Sequence, residues 1–367
     1  MKLGLILASN ASLPQPSTRI AVLNMLPFLR AAGWQCDIVF QPAPLADSEC
    51  PDLSALSLEA LRGYDVILFQ KVAGPSAVAL ARQLGVAGVR TVYCVCDRIG
   101  TEMAAACDRT VVISSFLRSL YPQHLQPRIE VVCDGLEDTS VVCEGTRQRR
   151  GGMLLPLRAV LVTSSALSSL PQIGLPPPWL AVDVVGRYPD STQRLERLKQ
   201  AVRLVLNCRG WRARLRAAAF LCHPRVRRLR WSPATVALAL QRADFAILPI
   251  DTAAGNGRGI PDWQLKSANR LTLKMGAGLA VLSTPIPAYE EVLEHGINGL
   301  FARNAQEWRQ GLQQLRDPAL RRRLGAAGRE RALRDFAPDV QARALLRVLN
   351  GLAVPSVAHS AQSETHV

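Results

Sequence analysis

Short, continuously apolar runs alternate with segments of helical period along most of this chain, and that alternation limits the fold more than any other feature. Strands are predicted at Leu3–Leu7, Cys36–Phe40, Asp65–Gln70, Arg90–Val95, Arg109–Ile113 and Ile129–Val132. A helical stretch separates each from the next; the first, Arg19–Ala32, stops at Gly33, a residue suited to closing a helix. Strands that are apolar on both faces and joined through helices form a parallel sheet covered on both sides.

The alternation breaks between Asp138 and Leu155, where GTRQRRGG reads as a linker, with a long surface loop as the competing reading. A second series follows, with strands predicted at Arg158–Thr163, Leu180–Val185, Phe245–Ile250 and Leu279–Thr284. Ser232-Pro233 has the chemistry of a helix start, a capping hydroxyl followed by proline at the first helical position. The final third reads as helices near Pro287–His295, Ala305–Leu315, Pro318–Phe336 and Pro338–Leu349. The predicted organisation is an N-terminal domain over 1–140, a linker over 141–157, and a second α/β domain over 158–337. A helix over 338–350 then crosses back to the first domain, ahead of a tail over 351–367. Open parallel sheets bind ligands at the carboxyl ends of their strands. Two of them facing one another would line a single cleft.

Charge narrows the partners. The 367 residues carry a formal charge of +15, mostly as arginine at 147–150, 203–230 and 309–334. Nucleic acid, a membrane surface or phosphorylated substrates would each answer that excess, and a genome biased toward arginine codons is the competing explanation. No zinc-finger spacing or aromatic-basic platform favours nucleic acid. Arg209, Arg212 and Arg216 fall on one helical face, read first as a solvated face, with docking to anionic lipid as the alternative. Nine cysteines, several inside apolar runs, read as buried reduced thiols. The N-terminus lacks the polar flank of a signal peptide and no apolar run reaches the ~18 residues that span a bilayer. The expected location is therefore cytoplasmic, with membrane contact only peripheral.

The densest chemistry lies at Lys266-Ser267-x-Asn269-Arg270, which follows a loop with Gly255, Gly257 and Gly259 and opens a predicted helix. A helix start offers free N–H groups and a positive dipole end, and these side chains add donors within one turn, a constellation suited to a diphosphate. Arg258 and Arg187, each beside a glycine at a predicted strand exit, are further phosphate-binding candidates. Asp97 and Arg98 follow the fourth predicted strand and Lys71 follows the third. Asp97 is the candidate for orienting hydroxyl groups, with a plain strand-exit turn as the alternative. Ser17, Thr18 and Arg19 open the first helix, with Ser17 read as its cap. Five histidines, two of them in the tail, and no Asp-x-Asp at a strand end argue against metal chemistry.

Three segments in fixed order resemble glycosyl transferases of group 1, the large GT-B family: Ala243-Asp244 to Pro249, Met275-Gly276-Ala277-Gly278-Leu279, and Glu290-Glu291-Val292 to Asn298-Gly299-Leu300. Pro16-Ser17-Thr18-Arg19 and Cys133-Asp134-Gly135 extend the likeness to the first half. The resemblance implies two Rossmann-like α/β domains facing across a cleft. It implies sugar transfer from a nucleotide-sugar donor to a saccharide, lipid-linked or protein acceptor, with retention of anomeric configuration and no cofactor. Many members carry two glutamates seven residues apart; here those positions hold Leu265 and Leu273, and Asp262 is the candidate replacement acid. A non-catalytic binding protein and a basic nucleic-acid-binding α/β protein are the rival readings.

Overall fold

A computed structural model describes residues 1–137, 139–143, 156–163, 174–189, 192–208, 210–252 and 259–353. Most of the predicted linker, the tail, Arg209 and Arg258 lie outside them. The chain divides into two compact units, Met1–Val132 together with the residues from Pro338 on, and Cys133–Ala337.

In the first unit the elements run β1 (Lys2–Leu7), α1 (Pro16–Ala21), α2 (Leu26–Ala31), β2 (Gln35–Phe40), α3 (Leu58–Leu61), β3 (Val66–Gln70), α4 (Pro75–Val86), β4 (Arg90–Val95), α5 (Thr101–Ala106), β5 (Arg109–Val112), α6 (Ser115–Ser119) and β6 (Ile129–Val131). The strands form one parallel sheet in the order β2-β1-β3-β4-β5-β6. The predicted helix over Arg19–Ala32 is broken instead: Pro27 has no N–H to give the preceding turn, and a 3-10 turn at Leu23–Met25 separates α1 from α2. Gly33 then takes φ 87°, which closes α2 as read.

The second unit runs β7 (Leu157–Val162), β8 (Leu180–Gly186), α7 (Arg194–Leu206), α8 (Trp211–Leu221), β9 (Val226–Arg230), α9 (Pro233–Arg242), β10 (Phe245–Leu248), α10 (Asn269–Gly276), β11 (Val281–Ser283), α11 (Pro287–Glu290), β12 (Leu300–Phe301), α12 (Ala305–Gln314) and α13 (Pro318–Phe336). Its sheet, also parallel, has the order β12-β11-β10-β7-β8-β9. Counted from β7, that is the doubly wound order 3-2-1-4-5-6, whose direction reverses between β7 and β10. Asp244 fastens this central pair: its carboxylate accepts from the Arg158 N–H at 2.7 Å and its own N–H donates to the Arg158 carbonyl at 2.8 Å. The small-residue turn after α10 is needed for packing, because a Cβ on Gly325 of α13 would overlap the Gly278 carbonyl, and Gly278 itself has φ 80°. Ser232 caps α9 as read, accepting from the Thr235 N–H at 3.0 Å.

Strand β9 was not expected. Its Arg227 faces Asp183, which sits in the middle of β8 with 1% exposure. Arg227 binds that carboxylate through Nε and Nη2 at 2.8 and 2.7 Å, and Arg158 adds Nη1 at 3.0 Å. An edge strand built this way reads as surface charge in the sequence, because its stabilisation comes from one buried carboxylate on a neighbouring strand. The final helix, α14 (Pro338–Ala353), contributes Ala342, Leu345, Leu349 and Leu352 to the core of the first unit beside Leu26, Leu29 and Trp34. Trp34 Nε1 donates to Asn350 Oδ1 at 3.1 Å.

Candidate functional site

In the second unit the strands are parallel, so their carboxyl ends lie on one edge, and the reversal between β7 and β10 is where such sheets accept ligands. Helix α10 delivers Arg270 to this place: its Nη1 lies 3.5 Å from Thr163 Oγ1, the first residue after β7. The helix starts at Asn269, later than read, with Ala268 as its cap residue and no side-chain cap. Ser267 Oγ is 3.4 Å from the Asn269 N–H, and Asn269 Nδ2 is 3.4 Å from the Gly135 carbonyl, so both side chains are turned toward backbone.

Lys266 is half-buried rather than an exposed helix-start residue. Burial pushes its ammonium below the ordinary lysine range, the Arg270 guanidinium pushes the same way, and Asp262 acts against both. Two cations are thus held near each other, and no hydrogen-bond acceptor for the Lys266 ammonium is present among the described residues. Like charges brought together with partial desolvation raise the free energy of the empty site, and a bound anion relieves it. Asp262, Lys266 and Arg270 thus lie close enough to act on one another. Leu273, at one glutamate position of the resemblance, packs against the core.

One turn beyond Arg270, Lys274 is fully buried, with its Nζ donating to the Arg270 carbonyl at 2.8 Å. Desolvation, then the Arg270 charge, lowers its pKa to about 7. The sequence offered a signal, the spacing of 270 and 274 on one helical face, but not the burial.

Arg187 lies elsewhere on the same strand edge. With Tyr188, Pro189, Gln200, Arg230 and Trp231 it lines a cavity of about 370 Å³ beyond the ends of β8 and β9. Burial raises the Tyr188 phenol to about 12, so this aromatic wall is uncharged at neutral pH.

The first unit has its own reversal, between β1 and β3, and a chain of buried polar groups closes it. The Gln15 N–H donates to Ser9 Oγ at 3.0 Å, Ser9 Oγ to Thr18 Oγ1 at 2.7 Å, and Thr18 Oγ1 to Gln70 Oε1 at 2.7 Å. The cap residue of α1 is Gln15, not Ser17, which falls inside the helix. One strand over, Lys71 follows β3 in a left-handed conformation, φ 56°, with its side chain only 7% exposed. Its Nζ bridges Glu49 Oε1 at 2.8 Å and Asp97 Oδ1 at 2.9 Å, and Arg98 Nη1 holds Glu49 Oε2 at 2.7 Å. Burial alone would lower the Lys71 pKa, but Cys96, Glu49 and Asp97 outweigh it and raise the value above ordinary lysine. Asp97 is thus a half-exposed carboxylate with one oxygen edge fixed by a buried cation, more than a turn at a strand exit. Glu49, from the loop after β2, was missed because nothing in the sequence marks that loop as returning to β3.

All nine cysteines are free thiols, five of them buried. Among the described residues no group of three His, Cys, Asp or Glu could hold a metal ion, and no helix is long and apolar enough to cross a membrane.

Residues 189–347 match the family model described as glycosyl transferase-like. A search of curated proteins finds no match. Among solved structures, HepE of Anabaena in complex with UDP-glucose is similar at 13% identity and a TM-score of 0.63, over 96% of this chain and 100% of that one. A glycosyltransferase from Rickettsia africae aligns over 97% and 99% at 10% identity and a TM-score of 0.65. The lipopolysaccharide outer core galactosyltransferase WaaB aligns over 96% and 99% at 12% identity and a TM-score of 0.63. The second half of the chain is thus similar to the glycosyl transferase-like family, and the chain as a whole has the two-unit α/β fold of these solved GT-B structures.

Proposed function

We propose that the chain transfers a sugar from a nucleotide-sugar donor whose diphosphate sits between Lys266 and Arg270 at the β7/β10 reversal. The observation that carries this reading is the partly desolvated Lys266 ammonium held beside the Arg270 guanidinium, which itself lies at the end of β7. The departing diphosphate would be stabilised by these cations and by the start of α10, with positioning supplying the rest of the acceleration. The cavity lined by Arg187, Tyr188 and Trp231 is offered to the nucleoside, whose base would stack on an uncharged aromatic wall. In the first unit, Asp97, fixed by Lys71, is offered to acceptor hydroxyls. The reaction is a hexosyl transfer with retention. The UDP-glucose complex of HepE supports a uridine donor as the first to try.

A thermal-shift screen of UDP-, GDP-, ADP- and CMP-sugars selects the nucleotide. Lys266→Ala is then expected to weaken the matching nucleoside diphosphate by roughly ten- to a hundredfold, because a charge-assisted hydrogen bond to phosphate contributes about 1.5–3 kcal/mol. The bare nucleoside should lose little. Calorimetry of both ligands on both proteins decides the matter, and equal losses would move the phosphate site elsewhere.

Turnover is expected to survive EDTA, since the cations at this site are side chains. A requirement for added magnesium or manganese in the same transfer assay would overturn that mechanism. The second reading is a binding protein without turnover, favoured by leucines at both glutamate positions, 265 and 273. Hydrolysis of the selected donor separates the two, because a binding protein would leave it intact.

A further inference from the structure

Helix α7 carries apolar residues on two sides. Ala201, Leu204 and Val205 face inward and pack on the core of the second unit. Leu195, Leu198, Val202 and Leu206 repeat at i, i+3, i+7 and i+11, so they run along one outer face. Helix α8, joined to α7 through residues 207–210 and packed against it, adds Trp211 and Leu215. All six are between 49% and 67% exposed. An outward stripe of this kind on a soluble unit marks a contact surface, because lone exposed leucines are ordinary but an ordered row of them is not.

The charges around the stripe say what covers it. Between Arg194 and Arg216 there are eight cations and one carboxylate, Glu196, which is already taken by Lys199 at 2.8 Å. Arg212 lies over the Trp211 ring at 5.3 Å, an arrangement that lets the ring enter an apolar medium while the guanidinium stays at its polar boundary. We propose that the outer faces of α7 and α8 form a docking surface for a bilayer containing anionic phospholipid. The stripe would enter the headgroup boundary while the arginines bind lipid phosphates. A second copy of this chain fits poorly, because a two-fold contact would set each cationic face against its twin. Duplex nucleic acid would use the arginines but leave the leucines and Trp211 in water. The inference stands independently of the donor assignment.

Flotation of the full chain with vesicles tests it. Binding is expected on phosphatidylcholine mixed with phosphatidylglycerol, weakening as salt rises, and not on phosphatidylcholine alone. Replacing three of the arginines (Arg203→Gln, Arg212→Gln and Arg216→Gln) is expected to weaken binding roughly a hundredfold. Replacing three apolar residues (Leu198→Ser, Val202→Ser and Trp211→Ser) keeps the charge and should weaken it by a similar factor, roughly a hundredfold. All six positions are exposed or edge sites, so the far-ultraviolet circular dichroism should not change. As a measurement that needs no triple variant, the emission lost in Trp211→Phe should shift to the blue when the mixed vesicles are added. Absence of binding to mixed vesicles overturns the proposal, and so does unchanged binding by the serine variant. Salt-sensitive binding to random duplex DNA that the serine variant retains in place of vesicle binding assigns the face to nucleic acid. A dimer in analytical ultracentrifugation that the serine variant disperses assigns it to a second copy.

Discussion

Converting Glu49 to glutamine and Asp97 to asparagine together is expected to destabilise the first unit by about 3 kcal/mol, the lower end of what an uncompensated buried charge costs. Lys71 is the buried partner of this cluster, while Glu49 and Asp97 have side chains 41% and 50% exposed. Removing the anions strands an ammonium in the interior. Removing the cation, as in Lys71→Met, leaves two carboxylates that water can reach and one of which Arg98 still holds. Lys71→Met should therefore cost much less, and adding it to the double variant should recover stability. Urea unfolding of the four proteins reads the asymmetry directly. A larger loss from Lys71→Met than from the double substitution would show that the carboxylates, not the lysine, bear the desolvation.

The second large effect concerns Lys274. Its pKa falls from 10.5 in the open chain to about 7 in the fold. Between those values the unfolded chain holds a proton that the folded chain does not, so stability must rise with pH across that window. Below about pH 7 the folded lysine is protonated too, and the penalty is complete. At about 1.4 kcal/mol per pH unit, the rise across the window is on the order of 5 kcal/mol. Lys274→Met keeps the length of the side chain and removes the titration. The α10 carbonyl that Nζ touches retains its helical partner, so little is lost with the amine. The variant should be more stable than the parent at pH 7, and the difference should shrink toward pH 10. Cysteines and tyrosines titrate in both proteins, so the quantity to read is the difference between them. A constant difference from pH 7 to 10 would mean that Lys274 keeps its ordinary basicity.

What could be read from the sequence follows from where the stabilisation resides. Strands such as Val66–Gln70 and Arg90–Val95 carry their own apolar runs, so their existence and nearly their limits are legible. Strand β9 is not, because its partner for Arg227 is Asp183, more than forty residues away. The two-residue β12 has no period to detect. At the site, Lys266 and Arg270 stand four residues apart in sequence, so their nearness is a local feature, although Lys266 precedes the helix that carries Arg270. The Glu49–Lys71–Asp97 cluster is assembled by loops after three different strands. Only the lysine and the aspartate, at strand exits, gave any warning. The Asn298-Gly299 segment that carried part of the family resemblance turns out to be a structural clasp. Asn298 Oδ1 accepts from the Glu294 N–H at 2.7 Å, and its Nδ2 donates to the Val292 carbonyl at 3.1 Å.

Helix α14 gives the first unit a discontinuous primary structure: Trp34 waits for Asn350 across 316 positions, while every strand of the second unit lies between them. During synthesis the second unit has all its segments outside the ribosome while the first still lacks part of its interior. The nascent N-terminal sheet must then persist with Leu26, Leu29 and Trp34 uncovered until the residues from Pro338 onward emerge. The residues that complete the interior of the first unit are thus translated after those of the whole second unit.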